Sequence, residues 1–177
     1  EPLGPSQRAY IGWREEQGLT DPGNRFHYYR LTPDGRILFG GYDAAYHFRG
    51  VIRADDPARM RSFRTLAAHL QGTFPQLEGV RFTHRWFGII DTTSRFTPLF
   101  GTALGGRVAY AVGFTGLGVG SSRFAARTAL DLLAEARTER TNLRLVRRRP
   151  VPFPPEPMRY PLIRLTQAAL EAEDRTG

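Results

Sequence analysis

The sequence predicts a chain of mixed α/β or α+β class, and three observations carry that prediction. An aromatic and β-branched stretch runs through an Asp-Gly turn into a second short apolar stretch. A proline-opened segment repeats apolar residues at helical spacing. Late in the chain an apolar strand runs into a glycine-rich turn and then a helix.

The elements follow in order. Phe26 to Thr32 is rich in strand-forming residues, and Ile37 to Gly41 answers it across Pro33-Asp34-Gly35-Arg36. Asp-Gly supplies the positive φ that a tight hairpin needs. Asp55-Asp56-Pro57 opens a helix: Asp56 accepts from free backbone N–H groups and Pro57 suits the first helical position. Met60, Phe63, Ala67, Leu70 and Phe74 form its apolar stripe, Pro75 ends it, and Arg59, Arg61 and Arg64 form a solvated face.

Gly79 to Gly88 alternates Val80, Phe82, His84 and Trp86, which predicts a strand with His84 as a hydrogen-bonded core histidine. Gly105-Gly106 turns into a strand over Arg107–Phe114. Its centre, Val108 to Val112, is nearly all apolar, which predicts burial on both sides in a parallel sheet. The turn Gly113 to Ser122 leads into a helix ending near Glu135, with Phe124, Leu130 and Leu133 as its large contacts and Ala125, Ala126 and Ala129 keeping it thin. Residues 141–157 carry the proline-rich run Pro150 to Pro157, expected to cross the fold's surface as a rigid stretch, an SH3-type ligand being the other reading. Arg159 to Ala172 reads as a last amphipathic helix.

Composition narrows the function. The chain has 177 residues, 41% of them hydrophobic and 24% charged, which is globular and not disordered. It has no cysteine, so a disulfide, a thiolate nucleophile and a cysteine-held metal or cluster are excluded within it. No apolar run is long enough to cross a membrane, and the first residues have no signal-peptide pattern, so a cytoplasmic protein is expected. The first residue is Glu1 and not methionine, which suggests a processed or excised piece. Net charge is +8, carried entirely by arginine. The arginines are scattered apart from Arg147-Arg148-Arg149, so nucleic acid is only a remote alternative partner.

One segment has the form of a ligand site. Gly116, Gly118 and Gly120 let a flat or anionic ligand approach the backbone, and the unpaired N–H groups of the following helix point at it. A tight packing turn is the other reading. The spacing is neither the dinucleotide fingerprint nor a Walker A. No catalytic constellation stands out: the four histidines have no ligand spacing, Asp43 and Asp91 have no partner acid, there is no Gly-x-Ser-x-Gly, and no metal site is expected.

Three stretches taken together resemble a known family. They are Tyr29-Arg30-Leu31-Thr32-Pro33-Asp34-Gly35-Arg36-Ile37-Leu38-Phe39-Gly40-Gly41, Thr83-His84-Arg85-Trp86-Phe87-Gly88-Ile89-Ile90-Asp91-Thr92-Thr93, and Gly113-Phe114-Thr115-Gly116-Leu117-Gly118-Val119. In this order and spacing they resemble the C-terminal part of the D-amino-acid oxidase (DAO) superfamily of FAD-dependent oxidoreductases, nearest its bacterial gamma-glutamylputrescine oxidoreductase-like branch. Pro154 to Tyr160 is similar to the tail of that branch.

The resemblance implies an α+β piece of a chain that is α/β when complete. Residues 1–104 would be part of a substrate-binding domain, with a mixed or antiparallel sheet and flanking helices. Residues 105–140 would be the last strand, turn and helix of a Rossmann-like FAD-binding domain, and residues 141–177 a proline-rich crossing segment and terminal helix. Backbone at Gly116, Leu117, Gly118 and Val119 would face the N1–C2=O edge of the flavin, where reduction adds negative charge. The family's Gly-x-Gly-x-x-Gly unit is not in this sequence. The implied partners are therefore a small-molecule amine and either a missing N-terminal FAD-binding segment or another chain covering residues 107–133. The fragment alone is expected to be inactive.

Departures from the family pattern bear on substrate. Ile90 stands where many relatives carry a carboxylate-clamping arginine, Tyr42 where many carry arginine after the paired glycines, and Leu117 where many carry histidine. Arg85 and Arg95 are the other arginines near that stretch. An amine or modified amine is therefore expected in preference to an ordinary α-amino acid, with Tyr42, Trp86 and Ile90 as pocket candidates. The implied reaction is oxidation of a C–N bond, with hydride passing to flavin N5 and the imine then hydrolysed. A standalone non-catalytic binding module of the same fold is the alternative.

Overall fold

Gly35 closes the first hairpin at φ +77°, donating its N–H to Thr32 O at 2.8 Å. This Asp-Gly turn joins β2 (His27–Leu31) to β3 (Ile37–Gly41), with Tyr29 opposite Phe39 and Leu31 opposite Ile37. A two-residue strand, β1 (Leu19–Thr20), pairs antiparallel on the far side of β2. Gly41 ends β3 where no side chain fits: at φ +108° a Cβ would lie 2.4 Å from Phe26 O.

The computed structural model describes residues 1–53 and 56–176, so Asp55 of the helix-opening triplet lies outside the described residues. The chain forms two units, Glu1–Phe87 with Glu156–Gly177, and Gly88–Pro155.

In the first unit, α1 (Pro5–Ile11) precedes the sheet and was not expected from the sequence. The expected helix is α2 (Pro57–Thr73), with Asp56 accepting from Ala58 N–H at 2.9 Å. The last helix is α6 (Arg159–Thr176). Leu3, Trp13, Leu31 and Leu77 form the core, with Tyr29, Ile37 and Phe74 packed against it. Trp13 stacks on Phe74 at 6.1 Å and meets Tyr29 edge-on at 5.8 Å. Leu70 of the expected stripe is buried, but Met60 is exposed. The helix instead buries Ser62, whose hydroxyl donates to Asp43 Oδ2 at 2.6 Å.

The expected strand over 79–88 is not formed. Among the described residues nothing pairs with it, and Phe82, His84 and Trp86 are exposed. Alternation supplies two faces but not a ladder, and a strand without a hydrogen-bonding neighbour has no means of burying either face. His84 is therefore not a core histidine. Its Nδ1 lies 2.9 Å from the Thr83 hydroxyl, in solvent.

In the second unit, β4 (Leu99–Ala103) and β5 (Val108–Val112) pair antiparallel, Leu99 opposite Val112. This corrects the expectation of a parallel strand buried on both sides. Gly105 and Gly106, at φ +67° and +85°, turn the chain straight back, whereas a parallel crossover needs about a dozen residues or more. Helix α3 (Gly118–Leu133) covers this hairpin through Ala125, Thr128 and Phe124. Leu130 and Leu133, expected as its large contacts, are exposed, because the stripe facing the hairpin is the one carrying Ala125 and Thr128. Two short helices not expected from the sequence, α4 (Glu139–Asn142) and α5 (Arg144–Arg147), follow, and Val146 of α5 joins Phe100 and Ala125 in the core. Residues 148–155 form no regular element.

Candidate functional site

The backbone between β5 and α3 is held from below by Asp91. Its Oδ2 accepts the Gly113 N–H at 2.6 Å, and its backbone oxygen accepts the Thr115 N–H at 2.8 Å. Thr92 and Phe114 form an isolated antiparallel bridge beside it. Gly113 is obligatory: at φ +74°, a Cβ would lie 2.3 Å from Thr93 Cγ2. Sequence reading left Asp91 without a role, and its position at the end of an apolar stretch was the only signal.

The turn then opens. Gly116 takes φ +83°, and Leu117 donates its N–H to Phe114 O at 2.9 Å. Leu117's own amide is thus spent on the turn. The amides of Gly118, Val119 and Gly120, in the first turn of α3, meet no acceptor among the described residues. Val119 is 99% exposed.

The space around the glycines bears on whether this is a ligand site or a packing turn. A Cβ at Gly116 or Gly120 would meet nothing within 4 Å, and one at Gly118 would only touch Phe114 at 3.7 Å. Gly116 answers to its left-handed φ, but neither Gly118 nor Gly120 is required by packing or by a left-handed conformation. What remains is accessible backbone with donors aimed outward at the positive end of a helix. That arrangement suits an anionic or electron-rich group of a ligand.

The pocket candidates lie in both units. Tyr42 sits at φ +62° just past β3, half-buried. The Arg25 guanidinium lies over its ring at 4.3 Å, His27 stacks on it at 5.1 Å, and His69 meets it edge-on at 4.4 Å. Trp86, in the same unit, is 68% exposed, and no ring contact joins it to Tyr42 among the described residues. Ile90, in the second unit, is 60% exposed. Arg85 lies over Phe63 and reaches Met60 Sδ at 3.7 Å. Arg95 is committed to backbone, donating to Pro98 O at 2.7 Å, to Leu145 O at 2.9 Å and to Arg148 O.

Sequence reading missed a second cluster. Asp21, His27 and His69 hydrogen-bond in series. No spacing in the sequence marks it, because β2 and α2 bring its histidines together from far apart. Burial, then the nearby His27 and Arg25, hold His69 below the ordinary imidazole range. Among the described residues no group of three or more acidic or histidine side chains could hold a metal, and no helix is long and apolar enough to cross a membrane.

The family model described as "FAD dependent oxidoreductase" (DAO) matches residues 1–132. Gamma-glutamylputrescine oxidoreductase of Escherichia coli K12 is 38% identical over 107 residues, covering 60% of this chain and 22% of that protein. A protein of Haemophilus influenzae named "Probable oxidoreductase OrdL" is 32% identical over 109 residues, covering 62% and 21%. One of Rhizobium meliloti with the same name is 29% identical over 116 residues, covering 63% and 24%. The chain thus spans about a fifth to a quarter of the length of the curated relatives it matches. No solved structure matches it. With the family model matched over residues 1–132 of its 177, the chain belongs to the DAO family of FAD-dependent oxidoreductases.

Proposed function

We propose that this chain supplies part of the substrate domain (residues 1–104), the final strand, turn and helix of the FAD domain (105–140) and a terminal crossing segment (141–177) of an enzyme that oxidises an amine. FAD supplies the hydride acceptor when bound. The chain's own residues hold and tune it: amides of Gly118 and Val119, set by Asp91, Gly113 and Gly116, stabilise negative charge at the flavin's N1–C2=O edge. The open, packing-free glycines of this turn carry the reading.

For substrate, Ile90 offers no cation to a carboxylate, and a relative's name, gamma-glutamylputrescine oxidoreductase, supports an amine bearing a modified, uncharged or distant carboxyl group. Tyr42 and Trp86 would supply aromatic surface to its carbon chain.

Two measurements on the full-length, FAD-loaded enzyme test this reading. Anaerobic addition of a γ-glutamylated diamine should bleach the flavin absorption, whereas simple α-amino acids should not. Bleaching by α-amino acids alone would overturn the substrate class. Gly118→Ala should leave the melting temperature nearly unchanged and weaken FAD binding about tenfold, the equivalent of ~1.4 kcal/mol. Undiminished FAD affinity in that variant would remove the turn from the cofactor site.

A further inference from the structure

Asp21 is fixed to His27 twice. Its Oδ1 accepts the His27 backbone N–H at 2.8 Å, and its Oδ2 lies 2.5 Å from His27 Nδ1. A carboxylate only accepts, so His27 Nδ1 carries a proton. His27 Nε2 lies 2.9 Å from His69 Nδ1, and one hydrogen fits between them. With both rings neutral, His27 Nε2 is bare, His69 Nδ1–H donates to it, and His69 Nε2 is left with its lone pair. One added proton leaves a single hydrogen between the rings and places the charge on the pair. A second would set two N–H groups head to head. The two rings therefore hold one extra proton between them, balanced by Asp21.

Tyr42 lies against both rings. It stacks on His27 at an interplanar angle of 5° and meets His69 edge-on. Arg25, already over the Tyr42 ring, donates to Glu171 Oε2 at 2.7 Å and lies 3.6 Å from Asp43 Oδ1. Asp43 in turn accepts from Ser62 of α2. A charged histidine pair would put a second cation close to the Arg25 guanidinium, and like charges disfavour that state. The neutral pair is thus the state in which Tyr42 is held as described, and the lowered pKa of His69 agrees with it.

We propose that Asp21, His27 and His69 act as one proton-holding relay that positions Tyr42, so that a single proton changes the wall of the candidate substrate pocket. The proposal rests on the reading of Tyr42 as a pocket residue, and the test separates the two. In the full-length, FAD-loaded protein with ring-labelled histidine and tyrosine, NMR titration should show His69 and the Tyr42 ring moving with one midpoint. Asp21→Asn keeps an oxygen for the His27 amide but removes the balancing charge, and should lower that midpoint. His27→Gln should raise it. A His69 midpoint unmoved in a folded Asp21→Asn protein, or a Tyr42 signal that ignores it, overturns the relay.

In turnover, the wild-type KM for the amine should rise about tenfold per pH unit below the relay midpoint, beyond any rise in His69→Gln. Identical KM profiles in the two, with Tyr42→Ala still impairing KM, overturn the positioning role. Unchanged KM in Tyr42→Ala instead removes the pocket reading, and the positioning role for catalysis falls with it, whatever the NMR shows of the relay.

Discussion

Two antiparallel hairpins of five-residue strands, built from similar materials, are buried to different degrees. The β2–β3 pair sends Leu31 into an aromatic core and leaves it 0% exposed. The β4–β5 pair leaves Val112 43% exposed on the strand that leads to the glycine turn. The first hairpin packs with Trp13 and Phe74 around Leu31, and α2 lies against β3. The second is covered by α3 and by Val146 of α5, around Phe100. The lesson concerns chemistry as well as packing. The first unit offers organised side chains, such as Tyr42 among Arg25, His27 and His69. The second offers organised backbone, the amides of Gly118 and Val119.

The largest effect that would test this contrast is Leu31→Ala, expected to cost ~3 kcal/mol in denaturant unfolding, against less than ~0.5 kcal/mol for Val112→Ala. Equal costs would show that the two hairpins are equally buried in solution. Next is Gly113→Ala, which adds a Cβ into Thr93 at a left-handed φ. It should destabilise the second unit by ~2 kcal/mol or more. Indifference to this change would break the account of the turn's foundation. Asp91→Ala, which strips the acceptor from the Gly113 N–H, should cost ~1–2 kcal/mol and loosen amide exchange protection at Gly113.

The smallest effect is one of pH. The Thr138 hydroxyl, donating at 2.7 Å, then Arg140, hold Asp131 below its ordinary value of 3.8, against an opposing contribution from burial. Its folded pKa is depressed, so its stabilisation is present above about pH 4 and fades as pH falls through the folded value. Asp131→Asn should therefore reduce the acid-side fall in melting temperature. An unaltered acid limb would show the pair to be solvated.

Legibility in the sequence followed the range of the interactions. Pro33-Asp34-Gly35 specifies its hairpin from adjacent residues, and Asp56-Pro57 marks the start of α2 in the same way. The mostly apolar 107–114 run suggests a parallel strand, but such a run reports burial and not the direction of its neighbour. β4, with Gly101 and Thr102 in it, carries no strong strand pattern of its own. The alternation of Val80 to Trp86 was legible, but the absence of a pairing strand was not. At the candidate site the glycines were plain in the sequence, while the role of Asp91 required the fold.

The sequence by itself determined the Asp-Gly hairpin turn and the Asp56-Pro57 start of α2, because these depend on φ preferences and residues a few positions apart. Only the tertiary structure decided that β5 returns antiparallel to β4, that Asp91 supports the turn from 22 residues away, and that His27 meets His69 across 42. Such contacts depend on which faces meet once the hydrophobic core closes. Burial and hydrogen-bond satisfaction select them together, and no local pattern records the choice.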